Sequence, residues 1–139
     1  SCAAEAQGIT VKEQSYGYEV ILPHLMPKRN HRNHTVFLLE PLTYALKEFT
    51  AAHPICRLEY ALIWFIYEYT EDTPIHCIRD YDNIETKEVL DIINSFFLLD
   101  DGGAFCELHY STRRGNRNGT RVIISSDIGL VSCQKINGN

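Results

Sequence analysis

The period at which hydrophobic residues recur changes several times along the chain, and each change predicts a change of element. Residues 17–22 (GYEVIL) alternate, are rich in β-formers and stop at Pro23, which predicts a short strand. Over residues 40–53, Leu42, Ala45, Leu46, Phe49 and Ala52 follow helical spacing, with Pro41 in the expected first turn and Pro54 past the end. Residues 58–69 (LEYALIWFIYEY) are dense in aromatic and branched side chains and predict a long central strand. A turn over 70–74 then leads into an extended stretch, 75–79. Asp82 or Asn83 is expected to cap the next helix, with Glu85 and Glu88 near its positive end and Val89, Ile92, Ile93 and Phe96 on its buried face. Residues 99–103 read as a turn. Residues 104–113 and 120–126 read as strands joined by an Asn/Gly-rich loop, which is a hairpin signal.

The order strand, helix, strand pair, helix, hairpin predicts an α+β (mixed α/β) fold: one mixed β-sheet with two main helices packed on it and a C-terminal β-hairpin. At 139 residues, 45% of them hydrophobic, the chain has material for one core. That domain is expected over 16–127, after a polar, unpatterned lead-in (1–15) and before a tail (128–139). The segment 23–34, rich in Pro, Asn and His, predicts a loop. No apolar run approaches the length that spans a bilayer, so no membrane partner is expected. The five cysteines are widely spaced and include no C-x-x-C pair, which argues against a disulfide framework and for core thiols in a reducing cytoplasm.

Charge is unevenly spread. Lys28, Arg29 and Arg32 lie in one acid-free stretch, and Arg113, Arg114, Arg117 and Arg121 lie in another. The other six bases face all 18 acids, a balance of −12, so an anionic ligand would be handled by two basic loops on an acidic body. Within that body, Asp80 and Asp82 share one side of an extended segment, and Asp100 and Asp101 follow within nineteen residues of Asp82. Carboxylates gathered in this way take up a proton or a cation, and an all-oxygen set favours Mg²⁺, with Mn²⁺ as a substitute. The plainer alternative is that Asp82 and Asn83 cap a helix and Asp100-Asp101-Gly102 makes a turn. His31 and His34 have a metal-like spacing, but neither cysteine nor acid accompanies them in that loop. Tyr60, Trp64, Phe65, Tyr67 and Tyr69 read as core or interface residues rather than a base-stacking platform.

Taken in order, GYEVILP, a basic Asn-containing loop, a helix, a strand into Asp80-Tyr81-Asp82-Asn83, an amphipathic helix, Leu99-Asp100-Asp101 and a final hairpin resemble the RusA-type Holliday-junction resolvases over residues 17–126. The resemblance implies a dimeric, Mg²⁺-dependent endonuclease of bacterial or phage origin that cuts four-way DNA junctions in recombination and repair. It places metal-binding and catalytic carboxylates at Asp80, Asp82 and Asp101 and a catalytic lysine at Lys87, one residue beyond the family position. In that reading one or two divalent ions held by the three aspartates generate the attacking hydroxide and neutralise the charge building on phosphorus, and the lysine stabilises the transition-state charge or the leaving oxygen. Lys28, Arg29, Arg32, Arg79, Arg113, Arg114 and Arg117 would then contact DNA phosphates. Two further readings stay open: a non-catalytic DNA-binding or adaptor protein of the same fold, and a metal-dependent nucleotide phosphohydrolase.

Overall fold

The computed structural model describes residues 8–23, 26, 33–78, 86–99 and 106–127. Their strands are β1 (Thr10–Gln14), β2 (Gly17–Leu22), β3 (Ala61–Thr70), β4 (Cys106–Gly115) and β5 (Gly119–Ser125), and their α-helices are α1 (Asn33–Ala52) and α2 (Lys87–Phe97). The strands form one sheet in the order β1-β2-β5-β3-β4. Only β3 and β4 run parallel; the helix α2 between them supplies the crossover that a parallel pair requires. The mixed α+β class expected from the sequence is the class observed.

Strand β3 decides the topology. Nine of its ten residues are buried, on both faces, so the strand is stable only inside the sheet. It therefore sits between β4 and β5, which are consecutive in the chain but do not pair. This corrects the expected C-terminal hairpin: the turn at 116–118 passes over the end of β3 instead. The polar, half-buried β4 takes the end of the sheet order, where charged side chains are tolerated.

The observed hairpin is β1–β2, in register from Thr10↔Ile21 to Gln14↔Gly17 across a loop of Ser15 and Tyr16. Strand β1 thus lies within the stretch expected to be a lead-in. Its TVKEQ is too short and polar to show a period, and pairing with β2 defines it. Gly17 has φ +145, and a Cβ there would overlap the Ile124 carbonyl oxygen of β5. Gly17→Ala is expected to lower stability by at least about 1–3 kcal/mol from the backbone conformation alone. An unchanged urea midpoint would show that β2 and β5 do not approach this closely.

Helix α1 starts at Asn33, eight residues before Pro41, rather than at Glu40. An interior proline costs a helix about 3 kcal/mol. Here the loss is offset by burial of Leu38, Leu42 and Leu46 against the sheet. Helix α2 starts at Lys87 with Thr86 as its N-cap, not at Asp82 or Asn83. The extended stretch expected at 75–79 contains a 3₁₀ turn, Ile75–Cys77. Before β3, Leu58 is clamped between the carbonyl of Phe97 and the amide of Leu99, at 2.8 and 2.9 Å.

Both helices cover one face of the sheet. There Val20, Leu22, Phe65, Tyr67, Val122 and Ile124 meet Leu42, Leu46, Val89, Ile93 and Phe97. On the other face Leu62, Trp64, Ile66 and Ile123 form a smaller buried cluster with Tyr16 packed against it. Trp64, Phe65, Tyr67 and Tyr69 are all buried, as expected of core residues, whereas Tyr60 is exposed.

Candidate functional site

Asp80, Asp82, Asp101, Asp100, Arg79, Lys28, Arg29, Arg32, His24 and His31 all lie outside the described residues. The same holds for the Mg²⁺ or Mn²⁺ site assigned to the three aspartates. Among the described residues no group of three or more His, Cys, Asp or Glu side chains is arranged to hold a metal ion. Lys87 opens α2 with its side chain 82% exposed and its Nζ 3.9 Å from Asp91 one turn on. That pair supports the helix by a few tenths of a kcal/mol, about 0.2–0.5. The cysteines Cys56, Cys77 and Cys106 are free thiols, and Cys56 and Cys77 are exposed rather than in the core.

Of the three arginines expected to reach DNA from the loop after β4, two are turned into the protein. Arg113 donates through Nε and Nη2 to Glu68 Oε2, at 2.8 and 2.7 Å. Arg114 Nη1 donates to the carbonyls of Thr70 and Thr73, both at 2.7 Å, and so fixes the turn that ends β3. Asn118 Oδ1 accepts from the Thr70 amide in the same turn. Asp72 accepts from Thr70 Oγ1, and this bond, with its own amide and the charge of Arg114, holds its carboxyl below the usual range. Only Arg117 is exposed at the tip.

A line of alternating charge crosses the sheet face turned away from α1 and α2. Arg121 Nη1 on β5 donates to Glu19 Oε2 on β2 at 2.6 Å, and its Nε lies 3.4 Å from Glu68 Oε2 on β3. Glu68 in turn holds Arg113 on β4, and Gln14 on β1 reaches Glu19 Oε1 at 3.4 Å. All five strands contribute one side chain. Glu19 and Glu68 are 4% and 8% exposed, so neither carboxylate is tolerable there without its cation. Burial opposes the charge of Arg121, but the hydrogen bond and charge of Glu19, joined by Glu68, outweigh it and raise its pKa. An acid inside each of two β-rich runs, at Glu19 and Glu68, was the only trace of this line in the sequence.

Tyr16 lies over the same face. Burial, reinforced by the charge of Glu19 and opposed by Arg121, pushes its phenol from 10.0 up to about 12. The folded state holds this proton more tightly than the unfolded chain does. The resulting contribution to stability is complete below the unfolded value of 10.0 and is lost as pH rises through about 12. Spectrophotometric titration is expected to show a late-ionising phenol that Tyr16→Phe removes; ionisation of every tyrosine near 10 would contradict it.

Strand β4 sends alternate residues to opposite sides. Cys106 and Tyr110 pack on the helix-side core, where Tyr110 stacks on Phe65 and its hydroxyl pairs with Thr86 Oγ1 at 3.1 Å. Glu107, His109, Ser111 and Arg113 line the side turned away from α1 and α2, all partly exposed. His109 Nε2 is 3.0 Å from Glu107 Oε1, Ser111 Oγ accepts from Trp64 Nε1 at 2.8 Å, and Arg113 is held by Glu68. The result is a polar row whose members are each fixed by a named partner.

The model of a family of unknown function, DUF6100, matches residues 1–128. No curated protein matches the chain. Two solved chains match, both crystal structures of the periplasmic domain of Helicobacter pylori MotB. The one of residues 90–256 has 14% identity and a TM-score of 0.48, covering 100% of this chain and 94% of that one. The one of residues 97–256 has 14% identity and a TM-score of 0.44, covering 92% and 95%. The family match takes in the whole span on which the resolvase resemblance was drawn, and none of these matches is a resolvase. That assignment is therefore corrected, and the Mg²⁺-dependent endonuclease activity, the four-way-junction DNA partner, the resolvase homodimer and the cytoplasmic location fall with it. Asp-x-Asp-Asn and Leu-Asp-Asp are short motifs of common residues, which arise by chance without the chemistry they suggest.

Proposed function

Because this chain belongs to the family of unknown function DUF6100, its activity is read from its own surface, and we propose that it is a binding domain for an extended polypeptide segment laid along the side of β4 that is turned away from α1 and α2. The observation that carries this reading is the partly exposed row Glu107, His109, Ser111 and Arg113. Alternate strand residues stand about 6.6–6.8 Å apart, which is also the side-chain repeat of an extended peptide, so such a peptide meets the row in step. The row is held in place by Trp64, Glu68 and the Glu107–His109 contact, so little rotamer freedom remains to be lost on binding. Arg113 is neutralised by Glu68, and Glu107 is hydrogen-bonded to His109, which favours a polar or mixed-charge peptide over a polyanion.

The test is selection from a randomised decapeptide library displayed on phage, followed by titration of the selected peptides as free molecules. Binding is expected to weaken at least about tenfold, about 1.4 kcal/mol, in Glu107→Ala and in His109→Ala. A library that yields no binder, or binders indifferent to both substitutions, overturns the proposal.

A further inference from the structure

The segment Glu107-Leu108-His109 places a carboxylate and an imidazole two residues apart on a strand, hence on one side of it. We propose that this pair is a chelate for a transition-metal dication such as Zn²⁺ or Cu²⁺, independent of any peptide. Oε1 and Nε2 stand 3.0 Å apart. Around a tetrahedral ion with bonds of about 2.0–2.2 Å to N and O, neighbouring donors lie roughly 3.3–3.5 Å apart. The two atoms therefore need to separate by only a few tenths of an ångström, with the imidazole turned so that Nε2 faces an ion lying beside the line that joins them. Their side chains are 39% and 36% exposed, so an ion enters from solvent and water fills its remaining positions.

The surroundings are compatible with a dication. Arg113, the next charged residue along the row, is neutralised by Glu68, and its Nε and Nη2 are directed at that carboxylate. Ser111 is occupied by Trp64 Nε1 and keeps the strand's side chains in order. The donor set of one imidazole nitrogen and one carboxylate oxygen suits Cu²⁺ and Zn²⁺ and gives Mg²⁺ little advantage over water. The ion would displace the hydrogen bond that now links the two side chains, so binding costs that contact and returns two metal bonds.

A reporter is built in. Trp64 is the single tryptophan of the chain, and it is the Cα partner of His109 across the β3–β4 pair. Titration of the full chain with Cu²⁺ is expected to quench Trp64 fluorescence saturably, with a large excess of Zn²⁺ reversing the quench by competition and Mg²⁺ leaving it unchanged. His109→Gln and Glu107→Gln should each weaken the quench at least about tenfold while far-ultraviolet circular dichroism stays the same; for both variants, a tenfold change corresponds to about 1.4 kcal/mol. Quenching that does not saturate, or that survives His109→Gln unchanged, overturns the site. Failure of the metal titration leaves the phage-selected peptides' sensitivity to alanine untouched, and the reverse also holds, so the two proposals fail separately.

Discussion

Replacing Arg121 by alanine is expected to lower the free energy of unfolding by about 3–5 kcal/mol, the usual cost of removing one partner from a buried ion pair. Glu19 is 4% exposed and loses its only cation among the described residues, keeping just the 3.4 Å contact with Gln14. Glu68 is affected less because it keeps Arg113. Two controls separate this cause from lost packing. Arg113→Ala should cost less, since Glu68 retains Arg121, whereas Glu19 has no second cation among the described residues. Adding Glu19→Gln to Arg121→Ala should recover part of the loss, because a neutral amide needs no counter-charge. The measurement is the urea midpoint with the slope unchanged, repeated at high salt, where a pair this buried is screened little. A loss below about 1 kcal/mol would mean that water reaches Glu19 and that the line is a surface feature.

This line of charge shows why the site was less legible than the fold. The strand at 17–22 was readable to the residue, because GYEVIL carries its own alternation and its own stop. The partners of its Glu19 were not, since Arg121 lies 102 residues away and no local pattern joins them. Arg113 and Glu68, 45 residues apart, present the same difficulty. The basic cluster at 113–121 therefore read as a phosphate-binding loop, although Arg113, Arg114 and Arg121 are there to satisfy carboxylates and carbonyls of the protein itself. Clustering in sequence reports proximity along the chain, and only the sheet order says what each guanidinium faces.

The same distinction explains the hairpin. Two β-rich runs joined by an Asn/Gly loop predict adjacent antiparallel strands by local rules alone. What overrides them is non-local: β3 is apolar on both faces and claims the interior position between β4 and β5. The row on β4 followed from alternation once the strand was placed, with Glu107, His109, Ser111 and Arg113 in the polar phase. That this phase is turned away from α1 and α2 was decided by the two helices packing together on the opposite face.

The phase of α2 is open to a direct test, and it carries the second large effect. Sequence spacing selected Val89, Ile92, Ile93 and Phe96 as the buried face, whereas the structure buries Val89, Ile93 and Phe97 most deeply and leaves Ile92 and Phe96 at the margin. A rotation of about 100° per residue separates neighbouring aromatic positions, so a small change of phase exchanges their roles. Phe97 is 1% exposed, its ring centroid is 5.0 Å from that of Tyr18, and its carbonyl receives the Leu58 amide that aligns the entry to β3. Phe97→Ala is expected to cost about 3–5 kcal/mol, a large share of the roughly 5–15 kcal/mol that holds a domain together. Phe96→Ala, at a partly exposed position where the side chain collapses toward solvent, should cost about 1 kcal/mol. Urea denaturation of the two variants decides the matter by rank: if Phe96→Ala is the more damaging, α2 faces the sheet in the phase read from the sequence, and the contact between Phe97 and Tyr18 is wrongly placed.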